Sequence, residues 1–110
     1  MADTDAIVVF MTAANGEEAT RLAEMLVGAH LAACVQILPE MESVYRWQGK
    51  IERQSEILLI AKTTRAKFAD LEREVRALHS YDTPEIIAVP LVMGSAQYLK
   101  WLGQAMDIHQ

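Results

Sequence analysis

Glycine is sparse and scattered: five residues spread singly, so no glycine-rich loop is available to cradle phosphates. Cysteine is nearly absent. Cys34 stands alone, which excludes an intramolecular disulfide. Basic residues are outnumbered, 10 Lys and Arg against 15 Asp and Glu, for a formal net charge of -5. No basic stripe exists to pair with phosphates, so nucleic acid is excluded as a partner. Aromatics make up only 6% of the chain against 52% hydrophobic residues overall, so the core is aliphatic. No apolar run reaches membrane-spanning length. The start, Met1-Ala2-Asp3-Thr4-Asp5, lacks the basic region of a secretory signal. With the single thiol, these features predict a cytoplasmic, reduced setting and no membrane partner.

A chain of 110 residues is expected to form a single domain, 1–110. Ala6 to Met11 is continuously apolar and rich in β-branched residues, which predicts a strand. Asn15 and Glu18 stand at capping-box spacing before a helical stripe of Ala19, Leu22, Ala23 and Leu26. Gly28 and His30 mark its end. Ala32 to Ile37 and Ser43 to Trp47 read as one strand. It should bend or bulge at Pro39, which has no N–H for a ladder. Gln48-Gly49 predicts a hairpin turn into a third strand that ends at Glu56 to Thr63.

Thr64 is the expected cap of a second helix. Phe68, Leu71, Val75 and Leu78 form its apolar face, and Glu72 and Arg76 sit at ion-pair spacing on the other. Glu85 to Val92 predicts strand four. Ser95 caps a last helix carrying Tyr98, Leu99, Trp101, Leu102 and Met106. The order β-α-β-β-α-β plus a terminal helix suits an α+β, ferredoxin-like two-layer sandwich. A sheet covered on one face should alternate apolar and polar residues. These strands do not: Ile57 to Ile60 are all aliphatic, as are Ile7 to Val9. Both sheet faces therefore need burial, which predicts self-association; the alternative is that the terminal helix covers the second face, for which one short helix is narrow.

The densest chemistry lies in His79-Ser80-Tyr81-Asp82-Thr83-Pro84-Glu85, an imidazole, a phenol and two carboxylates leading into an apolar strand. It reads either as a polar helix-to-strand connection or as a docking site. His30 closes a helix and His109 sits in the tail, so neither is a site candidate. Without a nucleophile motif or a defined substrate, no enzymatic activity is expected.

Five ordered segments resemble the CutA divalent-cation-tolerance family. They are Leu31 to Ile37, Ser43 to Glu52, Ser55 to Thr63, His79 to Ile86 and Tyr98 to Leu102. The resemblance implies a ferredoxin-like fold assembled as a tight homotrimer, similar in architecture to the PII signalling proteins, with clefts between subunits. It also implies ligand-binding positions at Trp47, Glu56, Lys62, His79, Tyr81, Asp82, Glu85, Tyr98 and Trp101, with Glu56, Asp82 or Glu85 as counter-charge to Lys62. The metal-capable set that it brings near a cleft is Cys34, His79 and Asp82, a soft thiolate, an imidazole and a carboxylate suited to copper or another divalent ion. The implied function is a cytoplasmic part in the response to metal ions. A metal ion or small anionic ligand would bind between subunits, with no cofactor required. The alternative is a PII-like signalling or structural scaffold without a dedicated metal site. The chain departs from the family pattern at Ser80, where proline is usual, at Asp82, where glutamate is usual, and at Gln36, where asparagine is usual.

Overall fold

The computed structural model describes residues 5–107. Met1 to Thr4 and His109, read above from sequence, lie outside them. Eight elements follow in order: β1 (Ala6–Ala13), α1 (Gly16–Gly28), β2 (Cys34–Trp47), β3 (Lys50–Thr64), a 3-10 turn (Arg65–Lys67), α2 (Phe68–Leu78), β4 (Ile86–Pro90) and α3 (Ala96–Ala105). The sheet order is β2-β3-β1-β4 with every neighbour antiparallel. Two β-α-β units interleaved in this way are the ferredoxin-like topology.

The helix starts are set locally. Asn15 accepts the Glu18 N–H through Oδ1 at 2.9 Å, and Ser95 accepts from Tyr98 N–H at 3.2 Å. Thr64 holds the cap position of the 3-10 turn in extended backbone but makes no side-chain cap bond, contrary to expectation. The first turn after β3 is thus 3-10, and α2 proper begins at Phe68. On the exposed face of α2, Arg73 takes the acidic partners, Asp70 at 2.8 Å and Glu74 at 3.4 Å, in place of the expected Glu72–Arg76 pair. Helix α1 ends with His30 at φ 59, where the Leu31 N–H reaches back to Leu26 O and the His30 N–H to Val27 O. This is a Schellman ending with histidine in the left-handed position that glycine usually takes.

Period-two geometry divides the sheet. Ile7, Val9, Met11, Leu59 and Ala61 project to one face and pack against Leu22 and Leu26 of α1 and Leu71 and Val75 of α2. Fully burying each such aliphatic side chain contributes roughly 1.5–3 kcal/mol. The other face carries Val8, Phe10, Leu58 and Ile60, half-buried, and Ile87 and Val89, 54% and 45% exposed. Helix α3 covers only one end of it, where Leu102 and Met106 pack with Ala6, Ala33, Leu91 and Leu99. The two-faced apolar pattern is therefore real, and one chain leaves most of the second face uncovered.

Pro39 marks a bulge. Between the pairs Leu38–Leu58 and Met41–Glu56, β2 spends Pro39 and Glu40 against Ile57 alone. The extra residue switches β2 from even to odd positions on the open face. Strand β1 ends opposite Ile57, so beyond the bulge β2 and β3 continue as an unsupported two-stranded arm. The arm closes through Gln48 (φ 50) and Gly49 (φ 80), both left-handed as a type I′ turn demands. Val44, Tyr45, Trp47 and Ile51 are exposed on it. Strand β4 is shorter than read from sequence, ending at Pro90, though the Leu91 N–H still bonds Ala6 O in register with the ladder; Pro90, on the edge strand, is at a position where β1 asks for no N–H.

Candidate functional site

The α2–β4 loop brings its chemistry to the end of the sheet where the arm begins. The His79 side chain is fully buried. Its Nε2 lies 2.7 Å from Thr12 O, an acceptor, so Nε2 carries the proton. Its Nδ1 accepts the Tyr81 N–H at 3.0 Å, so Nδ1 carries none. The imidazole is neutral, with both nitrogens engaged. Glu18, buried at the start of α1, accepts Ala14 N–H at 2.8 Å through Oε1 and Ser80 N–H at 2.7 Å through Oε2. Burial alone would raise the Glu18 pKa. The hydrogen bonds from Ala14 and Ser80 outweigh it and hold the carboxyl below its ordinary value. Proline at position 80 could not supply that N–H.

Tyr81 packs against His79 with ring centroids 4.8 Å apart and planes tilted by 50°. Its hydroxyl donates to Glu56 Oε2 at 2.9 Å and accepts from Gln54 Nε2 at 2.8 Å. Gln54 Oε1 in turn accepts from the Tyr45 hydroxyl at 2.8 Å. Burial first, then the bond and charge of Glu56, push the Tyr81 phenol well above its ordinary value. Among the described residues, no buried side-chain nitrogen or oxygen in this network is left without a partner.

The opposite end of the sheet, beside α3, is looser. Cys34 and Lys62 are cross-strand partners on the open face. Lys62 Nζ bonds Gln36 Oε1, a neutral amide, and not the carboxylate expected from sequence. Glu56 shares the strand and face of Lys62 but stands six positions away, about 20 Å along an extended chain. Cys34 Sγ lies 3.7 Å from the Tyr98 hydroxyl, and the Tyr98 and Trp101 rings meet with centroids 5.4 Å apart and planes tilted by 42°. Burial, then the contact with Cys34, raises the Tyr98 phenol. Cys34 and Lys62 are half-buried, while Gln36, Tyr98 and Trp101 are exposed.

The nine candidate positions thus fall into separate places. Glu56, His79 and Tyr81 meet at the arm root, and Lys62, Tyr98 and Trp101 gather near α3. Trp47 stands at the arm tip, and Asp82 and Glu85 lie exposed on the loop. Asp82 borders a depression of about 470 Å³ with Arg73 and Arg76 of α2. The metal-capable set Cys34, His79 and Asp82 does not converge within one chain. Cys34 is level with Val8 through Lys62, whereas His79 holds Thr12, four positions and about 13 Å further along β1. Nor does His79 have a free lone pair. Among the described residues, no three His, Cys, Asp or Glu side chains are grouped to hold a metal ion. Glu18, Gln36 and Gln54 are the contributors that sequence reasoning did not assign. Period two already places Gln36 beside Cys34, but the reach of Glu18 to Ser80 spans 62 positions and has no local signal.

The interleaved β-α-β sheet, its projecting arm and its two unlike ends define a ferredoxin-like α+β protein. The family profile described as "CutA1 divalent ion tolerance protein" matches residues 7–105. The divalent-cation tolerance protein CutA of Thermus thermophilus is 46% identical over 95 residues, covering 86% of this chain and 92% of that protein. A chloroplastic CutA of Arabidopsis thaliana is 49% identical over 96 residues, but this chain spans only 53% of its length. The crystal structure of CutA1 from Oryza sativa superposes with a TM-score of 0.93 at 42% identity, covering 98% of this chain and 99% of that one. The chain belongs to the CutA1 divalent ion tolerance family. Relatives differ in named location: the Arabidopsis protein is called chloroplastic, and the Archaeoglobus fulgidus structure, at 40% identity and TM-score 0.89 over 93% of this chain and 99% of that one, periplasmic. Among the described residues, no helix is long and apolar enough to cross a membrane.

Proposed function

We propose that the chain is a non-enzymatic, cytoplasmic binding protein in the response to metal ions, assembled as a homotrimer. Its ligand, copper or another divalent cation or a small anion, sits between copies at the rim of the open sheet face. The single observation that carries this reading is the uncovered apolar face with Cys34, Gln36, Lys62, Tyr98 and Trp101 at its edge. Covering Ile87, Val89 and their neighbours with a second copy is worth on the order of 1.5–3 kcal/mol for each side chain buried. The reading requires a neighbour's loop, with Asp82 and Glu85, to complete this rim. The Lys62 ammonium suits an anion, and the Cys34 thiolate is the soft donor for copper.

A PII-like or purely scaffolding role is the second reading. It is favoured by the internal pairing of both His79 ring nitrogens and of the Tyr81 hydroxyl, which leaves those groups little to offer a ligand. Sedimentation at micromolar concentration, followed by calorimetric titration of copper, zinc and an anion panel into wild type, Cys34→Ser and Lys62→Ala, decides between them. Saturable binding lost in either variant supports the rim site. A monomer in sedimentation sinks the site between copies, and a trimer without binding leaves the scaffold.

A further inference from the structure

We propose that His79 is a positioning residue and not a metal ligand. As the neutral Nε2–H imidazole it holds the α2–β4 loop on β1, so that Tyr81 fixes the hairpin arm. This goes beyond the proposed function, which concerns the opposite end of the sheet. Three observations converge. Both ring nitrogens are committed, one as donor to Thr12 O and one as acceptor from Tyr81 N–H, inside a fully buried side chain. A metal ion needs a ring lone pair, and the lone pair at Nδ1 is already used. A metal at Nδ1 would have to expel the Tyr81 N–H, and one at Nε2 would have to strip the proton from the bond to Thr12.

The second observation is what lies downstream of the ring. Tyr81, packed against His79, bridges Glu56 at the root of the arm and Gln54 two pairs further out, and Gln54 passes the contact to Tyr45 across the arm. The third is the arm itself, two strands beyond the end of β1 with no third strand beside them among the described residues of one chain. An isolated pair of strands is marginal in water, so its direction depends on such a brace. Trp47 at its tip moves with it.

Two measurements on the full chain test this. A long-range 1H–15N spectrum of the wild type should show His79 as the Nε2–H tautomer, unchanged on adding one equivalent of zinc and not selectively broadened by one equivalent of copper(II). Protonation at Nδ1, or zinc-induced shifts confined to the His79 ring, would overturn the assignment. Hydrogen exchange is the second readout. Tyr81→Phe should speed exchange at Val44, Tyr45, Glu52 and Arg53 by about tenfold, the scale of one hydrogen bond to a charged group, and leave α1 and α3 unchanged. Exchange that is unaltered in the arm, or faster everywhere alike, refutes the brace. If the wild type binds neither metal nor anion, the binding function proposed above fails, while the tautomer and the arm exchange still decide the role of His79.

Discussion

At the arm root, Glu18, Ser80, His79, Tyr81, Glu56, Gln54 and Tyr45 are joined hand to hand. At the α3 end, Cys34, Gln36, Lys62, Tyr98 and Trp101 touch in pairs at an open rim. The difference teaches that density of polar chemistry in sequence does not locate a ligand. A buried polar group must find partners or cost about 1–3 kcal/mol, so the crowded loop spends its groups on one another. The sparse rim has little to satisfy internally and keeps its groups available.

The largest effect should come from breaking the satisfied end. His79→Ala removes a buried ring and leaves the Thr12 carbonyl and Tyr81 N–H unpaired, and should cost about 3 kcal/mol in denaturant unfolding at fixed protein concentration. A loss below that of a surface variant would erase the contrast between the ends. Tyr81→Phe takes the donor from a buried carboxylate and should cost about 2 kcal/mol. Tyr81 also sets an alkaline limit. Its pKa is raised in the folded state, so its contribution is full below the ordinary tyrosine value and is lost as pH rises toward the folded one. Thermal melts in alkali should therefore fall less steeply for Tyr81→Phe than for wild type.

Glu18 sets the acid limit with the opposite sign. Its pKa is lowered on folding, so the unfolded chain binds the proton first as pH drops. Its contribution is full above the ordinary value of 4.5 and disappears as pH falls through the folded one. Glu18→Gln should lower the melting temperature at neutral pH and flatten the acid limb, and parallel acid limbs would remove Glu18 from the explanation. Ser80→Pro sharpens the point. It loses the N–H to Glu18 but stiffens the unfolded chain, and the net cost should be about 1 kcal/mol by chemical unfolding. A stabilised variant would mean that the bond from Ser80 is of no consequence. The smallest effect belongs to the rim. Lys62→Ala should change stability by at most about 0.5 kcal/mol, since its one partner is an exposed amide, while abolishing anion binding in calorimetry. Should Lys62→Ala unfold the protein as His79→Ala does, the two ends are not different in kind.

Much of the frame was legible because its causes are local. The Asn15 cap, the bulge at Pro39, the turn at Gln48-Gly49 and the Ser95 cap each follow from the conformational limits of a few neighbouring residues. The site was legible only as a set of residue types. His79 looked like a metal ligand because imidazole suits metals, but the carbonyl of Thr12, 67 positions earlier, had already claimed it. Lys62 looked as if it needed a carboxylate because the strand around it is apolar, yet Gln36 across the ladder supplies an oxygen. Thr64 looked like a cap, but the chain enters α2 through a 3-10 turn that does not use its hydroxyl.

By itself the sequence determined the element order, the two-faced strands and the place of the bulge, because backbone sterics and period-two alternation act over a few residues. Only the tertiary structure decided that the arm outruns β1, that the loop closes on Glu18 and Glu56, and that the candidate positions lie at opposite ends of the sheet. Those outcomes depend on which distant strands pair and in what register, and a hydrogen bond is indifferent to how far apart its partners stand in the chain.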